Sequence, residues 1–436
     1  MNRKIILWSI AVGLGGLLFG LDVAVISGAE KAIQQLWHLS EWEHGTAIAM
    51  ALYGTAFGAA FGNVPANRIG RKKTLLWIGV LFFISSVGAA LSPEVYSFMF
   101  FRFISGLSIG ASSVVAPVYI SEIAPARYRG RLVISFQLNV VSGILIAYLS
   151  NYLLQGVGGV NDWRWMLGIV AVPSLLFSLF MLAVPETPRW LLLHKNDEAH
   201  AREVLSITED DVDKTINEIK AGASEKKEPL FNKKFYKPLL LAFLLATFNQ
   251  LSGINAIIYF APRVFEMAGI GKDAAFLSTA GIGVVNLAFT IIGWSLIDRF
   301  GRRTLMFIGS AGYIVSLGLI AVSFNNGATQ FITYYVFLFI AAHAIGQGAV
   351  IWVFISEIFP NSVRAAGTSF GCLTHWAWAA VVAQTFPFFA TKVGGSYIFG
   401  FFCFMMVLQL LFVWRMMPET KGIALEDMDK TTVLHI

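Results

Sequence analysis

The chain has 436 residues, 56% hydrophobic and only 13% charged, with an excess of six positive charges, a pI near 9.2 and a mean hydropathy of +0.68. That leaves too little polar surface for a soluble protein of this size, so lipid is the solvent for most of the chain. The composition therefore excludes a soluble nucleic-acid binder, and the basic residues, gathered in particular loops, bear on orientation instead.

Apolar segments recur at about 20 residues, the length that spans a hydrocarbon core of about 30 Å as a helix. The first starts near Ile5, behind Arg3 and Lys4, and runs to Ile26. It is too long for a signal-peptide core and contains Asp22, so it reads as a spanning helix. Further spans start near His44, Thr74, Val95, Leu132 and Trp165. The stretch 185–237 is dense in Asp, Glu and Lys and reads as a surface linker with short helices. Six more spans start near Pro238, Ala274, Thr304, Phe331, Ala366 and Ile398, and a tail fills 418–436. The prediction is an all-α membrane protein of twelve transmembrane helices, one six-helix half over 1–184 and another over 238–417.

Lys and Arg concentrate on one side of this arrangement, at Arg68, Arg71, Lys72, Lys73, Arg127, Arg129, Arg131, Arg299, Arg302, Arg303 and Arg364. The positive-inside rule then places both termini and the linker in the cytoplasm. Cys372 and Cys403 lie in apolar stretches and suggest neither a disulfide framework nor a metal site.

Three motifs occur twice, in the same order and at a near-constant offset. Asn67-Arg68-Ile69-Gly70-Arg71-Lys72 returns as Asp298-Arg299-Phe300-Gly301-Arg302-Arg303. Ser121-Glu122-Ile123-Ala124-Pro125 returns as Ser356-Glu357-Ile358-Phe359-Pro360, and Pro185-Glu186-Thr187 as Pro418-Glu419-Thr420. Such duplication is expected of carriers that hold substrate between two rocking halves near the midplane.

These repeats, with PETPR from Pro185, PETKG from Pro418 and QLSGINA from Gln250 to Ala256, resemble the sugar porter family of the major facilitator superfamily. The family includes bacterial proton–sugar symporters and mammalian facilitative glucose transporters, and the likeness covers almost the whole chain. It implies the major facilitator fold and alternating-access transport of a hexose, pentose or polyol across the cytoplasmic membrane. It also implies a protein that works as a monomer without cofactor or metal. A sugar receptor on the same scaffold and a drug-efflux carrier are the competing readings; the short C-terminal tail and QLSGINA weigh against them. Neither a nucleotide-binding glycine loop nor a nucleophile triad points to an enzyme.

A sugar presents hydroxyls and an apolar ring face, so its site needs amides and an aromatic plate. By the resemblance, Gln137, Gln250, Asn255, Asn286 and Trp352 fall where the family binds sugar. Gln250 and Asn255 stand about 140° apart on a regular helix, so they converge only if the helix is distorted, which Gly253 permits. Asn249 and His375, the latter beside Trp376, depart from the family pattern and bear on specificity. For a lone intramembrane amide the competing role is glue between helices. His375 has three open roles: sugar ligand, titrating group, or donor to a backbone carbonyl. Tyr259 and Phe260 match an aromatic gate, with ordinary packing as the alternative.

Asp22 lies inside the first span, where an ionisable group is costly and is by default a functional candidate. Arg102 is its natural partner. Proton-coupled relatives carry this Asp and Arg, so the resemblance predicts symport; the alternative is a structural pair in a uniporter. Glu30, near the outer end, is expected to be solvated. On the cytoplasmic side Glu122 and Glu357 can pair with Arg71 and Arg302. Together with Arg68, Arg129, Asp298, Arg299 and Arg364 they form an expected latch that holds the outward-facing state and breaks when the inside opens. Anchorage of helix ends in the headgroups is the alternative. Asn67 stands where the superfamily pattern prefers Asp, which weakens the expected latch in the first half.

Overall fold

The computed structural model describes residues 2–125, 128–209, 211–222, 228–360 and 362–421. Six helical stretches precede the linker: α1 (Arg3–Leu36), α2 (Glu41–Phe61), α3 (Arg71–Leu91), α4 (Val95–Ile123), α5 (Arg129–Leu154) and α6 in two pieces (Asp162–Gly168 and Ala171–Ala183). Six follow it: α7a (Tyr236–Leu251) with α7b (Ile254–Met267), α8 (Lys272–Phe300), α9 (Arg302–Asn326), α10a (Ile332–Ile345) with α10b (Gln347–Glu357), α11 (Arg364–Lys392) and α12 (Gly395–Arg415). Local chemistry sets their ends. Ser40 caps α2 in a reciprocal capping box with Glu43, which satisfies donors that a helix start leaves orphaned.

Among the described residues, ten stretches are long and apolar enough to cross a membrane, and α2 with its continuation Asn63–Ile69, bent by 47°, makes an eleventh. The remaining helix, α11, is long enough at 29 residues but carries Thr374, His375, Gln384 and Thr385 along its length. His375 faces Gln250 of α7a and Gln384 bonds to Tyr53 and Thr46 of α2, while Thr374 and Thr385 donate back to carbonyls of their own helix.

Within the first half α1 packs on α5 and α2 on α4; within the second, α9 packs on α12 and α8 on α10. The halves meet along three pairs, α2 with α11, α5 with α8, and α1 with α7b. Between them the linker forms short helices, including Glu198–Thr208 and Val212–Gly222. It has its own small apolar core of Leu191, Leu192, Ala201, Leu205 and Ile216 beneath Trp190, Val212 and Ile219. The tail expected from 418 is described as far as Lys421, and the rest of it lies outside the described residues.

Candidate functional site

A cavity of about 110 Å³ lies between the halves. The structure brings to its wall all eight side chains expected at a sugar site: Gln137 from α5, Asn249 and Gln250 from α7a, Asn255 from α7b, Asn286 from α8, Trp352 from α10b, and His375 and Trp376 from α11. The amides engage one another. Asn255 Nδ2 donates to Gln250 Oε1 at 2.6 Å, and Gln250 Nε2 donates to Asn249 Oδ1 at 2.9 Å and lies 3.0 Å from His375 Nε2. Three aromatic rings form one wall, with His375 centred 4.8 Å from both Trp352 and Trp376. Donors, acceptors and flat apolar faces thus surround a space between two bodies that can move.

The convergence of Gln250 and Asn255 has a visible cause. Helix α7 breaks at Ser252 and Gly253, and Gly253 takes φ +83°, a left-handed conformation that glycine adopts without the strain a side chain would bring. The turn resets the helical phase, so residues about 140° apart on a continuous helix reach the same point. Past the break, Phe260 leaves helical geometry at φ −126°, two residues before Pro262. Its ring sits 5.2 Å from Phe386 of α11 and 6.1 Å from His44 of α2, wedged between the halves. Tyr259 and Phe260 are both fully buried.

Beside the cavity, Asp22 of α1 and Arg102 of α4 form an ion pair with Nη1 to Oδ2 at 3.0 Å, 2% and 1% exposed respectively. Ser105 donates to the same Oδ2 at 2.5 Å. Arg102 Nε and Nη2 find no hydrogen-bond partner among the described residues, and neither does the Tyr259 hydroxyl. That hydroxyl lies within electrostatic reach of both members of the pair.

At the end of the molecule away from the linker, charged groups join the halves. Glu30 is 1% exposed, which corrects the expectation of a solvated side chain. Arg263 of α7b grips it from two nitrogens, at 3.0 Å and 2.7 Å, and His44 Nε2 lies 3.0 Å from it. Arg263 also donates to Gln34 at 2.5 Å. Lys31 pairs with Glu266, Tyr53 donates to Gln384, and Tyr148 donates to the Ile258 carbonyl at 3.0 Å.

At the linker end the two repeats build the same cluster twice. Arg71 reaches Glu122 from Nε and Nη2, each at 3.1 Å; Arg302 reaches Glu357 at 3.2 and 2.9 Å. Glu186 accepts from the backbone N–H of Arg71 and Lys72, as Glu419 does from Arg302 and Arg303. Burial raises the Glu186 carboxyl above its ordinary pKa, against the backbone donors and Arg71, which lower it. Asn67 Oδ1 accepts from Arg71 at 3.2 Å, just as Asp298 does from Arg302 at 3.4 Å, so the amide keeps the contact that was expected to weaken. Each cluster lies inside one half. Both are intact in this structure. Arg68 and Arg299 are exposed and join no ion pair among the described residues, Arg364 donates to the Phe359 carbonyl at 3.2 Å, and the side chain of Arg129 lies outside those described.

The sequence profile of the family described as "Sugar (and other) transporter" matches residues 8–431. The chain belongs to that family. It is 38% identical to the arabinose-proton symporter of Bacillus subtilis over 98% of this chain and 94% of the relative. It is 33% identical to the D-xylose-proton symporter of Escherichia coli K12 over 95% and 93%. An inward-open structure of the xylose transporter XylE from E. coli superposes with a TM-score of 0.87 at 32% identity, covering 98% of this chain and 99% of that one. The fold is that of the major facilitator superfamily, and the protein is a multi-pass membrane transporter and not an enzyme.

The sequence reading of this transporter missed two features. His343 lines the cavity but sits in an apolar run of α10a with no motif around it. The Glu30–Arg263 pair joins residues 233 positions apart; an arginine inside the apolar stretch after QLSGINA was its one available signal.

Proposed function

We propose that this transporter carries a monosaccharide or related polyol across the cytoplasmic membrane by alternating access, in symport with a proton that resides on Asp22. The cavity between the halves carries this reading: five amides and an aromatic wall meet the demands of a polyhydroxyl ligand. The proton-coupled arabinose and xylose carriers among the relatives support both substrate class and coupling. The basic loops put the linker side in the cytoplasm, so the structure is closed to the outside.

The pair Asp22–Arg102 supplies the coupling. With Asp22 ionised, its carboxylate holds Arg102 Nη1 and ties α1 to α4. A proton on Asp22 removes the charge that holds Arg102, whose free nitrogens then seek new partners near Tyr259. Sugar drawn between α7 and the first half and a proton on Asp22 thus bias the same element, α7b, which is the condition for one gradient to drive the other.

Counterflow of labelled arabinose, xylose and glucose in proteoliposomes tests the substrate class. Saturable exchange of at least one sugar, abolished in Trp352→Ala, is expected. Absence of exchange for all sugars and polyols by the wild type contradicts the reading.

A further inference from the structure

We infer that His343 is a specificity-determining residue that presents its Nε2 to the cavity as a fixed hydrogen-bond acceptor for one hydroxyl of the transported sugar. The inference rests on the sugar-transport reading above and deepens it.

A chain of buried hydrogen bonds that ends at His343 starts at the Met306 carbonyl. Ser310 Oγ donates to the Met306 carbonyl at 2.7 Å, and a carbonyl can only accept. The single hydroxyl proton of Ser310 is thereby committed, so Gln409 must face it with its nitrogen, and Nε2 does so at 2.7 Å. Gln409 Oε1 then accepts from Gln347 Nε2, which turns Gln347 Oε1 toward Tyr313. The Tyr313 oxygen lies 3.3 Å from Gln347 Oε1 and 2.5 Å from His343 Nδ1; its one proton can go to either, and donation to Gln347 Oε1, with His343 Nδ1–H donating to the Tyr313 oxygen, is the arrangement that pairs both. Tyr313, Ser310, Gln347 and Gln409 are all fully buried, so no water competes for these bonds.

With every buried group paired, the chain ends by placing the imidazole proton on Nδ1. For a neutral ring this leaves a lone pair on Nε2. His343 has no ion-pair partner among the described residues, where the histidines paired with carboxylates are His44 and His200. Nε2 stays uncovered because residue 348 is glycine: a Cβ there would sit 3.3 Å from it. Both residues line the cavity with Trp352 and His375. A buried chain spanning α9, α10 and α12 thus fixes one tautomer at the substrate wall. An acceptor-only group selects a ligand O–H over an isosteric acceptor, because a site whose polar group is left unpaired rejects the analogue strongly.

The experiment is inhibition of counterflow by the parent sugar and its monodeoxy and monodeoxyfluoro analogues, for wild type, His343→Phe, His343→Gln and Tyr313→Phe. His343→Phe is expected to weaken the parent sugar by roughly tenfold, the worth of one lost hydrogen bond. It leaves one deoxy analogue unaffected, since that analogue lacks the hydroxyl concerned. The matching fluoro analogue, which cannot donate, is rejected by the wild type and tolerated by His343→Gln, whose amide offers a donor as well. Tyr313→Phe frees the tautomer and relaxes discrimination at the same position. Equal losses for parent and every analogue, or unchanged inhibition in all three variants, overturn the inference while transport by the wild type leaves the substrate reading standing. A wild type that exchanges no sugar sinks both.

Discussion

At the end away from the linker, charged side chains bridge the two halves; at the linker end, equally well-formed pairs stay within a half. Arg263 and Glu30 belong to different halves and are buried where those halves meet. Arg71 with Glu122, and Arg302 with Glu357, each tie neighbouring helices of one bundle. The difference separates two jobs that similar chemistry can do. A bridge across the moving interface contributes to the balance between open and closed, because it exists in one state only. A bridge inside a rigid body contributes to the stability of that body in both states and leaves the balance alone.

The sharpest way to break the outer interface is steric. A Cβ on Gly45 of α2 would lie 1.9 Å from the Gln384 carbonyl of α11, so Gly45→Val cannot close the outer side. Net uptake is expected to fall by at least about a hundredfold, the scale of a misfit of 1 Å or more at a functional contact, with sugar still bound from outside. Uptake paired with equilibrium binding checks this.

Next in size, Arg263→Ala leaves Glu30 buried without its main partner and costs the closed-outside state about 3–5 kcal/mol. Spin labels at His38→Cys and Lys272→Cys should report a longer distance across the outer side. Arg71→Ala is the matched control: it is expected to lower the melting temperature while the same labels keep their distance. If both substitutions move the labels equally, the division between the two sides fails.

Two smaller effects refine the picture. Thr420 Oγ1 donates to Glu357 at 2.6 Å, whereas the hydroxyl of Thr187, its counterpart in the repeat, finds no partner among the described residues. Thr420→Val should therefore cost about 1 kcal/mol in thermal unfolding and Thr187→Val close to nothing. Lys31→Ala removes an ion pair that is partly exposed and should leave the label distances in place and change stability by at most about 1 kcal/mol.

What the sequence made legible follows from range. Span length, the linker and the doubled motifs are local patterns, and Gly253 between Gln250 and Asn255 announced its own break. The eight cavity residues were reachable because family motifs mark most of them directly. Glu30 was misread because an acidic residue near a helix end is ordinarily wet, and its true partner is remote in sequence. His343 was missed for a related reason: its significance depends on Tyr313, Gln347 and Gln409 from other helices, a chain that exists only once they pack. The double clusters were readable as pairs, but whether a pair crosses the interface is a property of the assembled halves.

The account turns most directly on Asp22, and the measurement is uptake of a transported sugar into proteoliposomes with and without an inward proton gradient, in wild type and Asp22→Asn. The account predicts concentrative, gradient-dependent uptake by the wild type, lost in Asp22→Asn while counterflow persists. Equal and merely equilibrative uptake by both proteins would contradict it and reduce the Asp22–Arg102 pair to a structural tie in a uniporter.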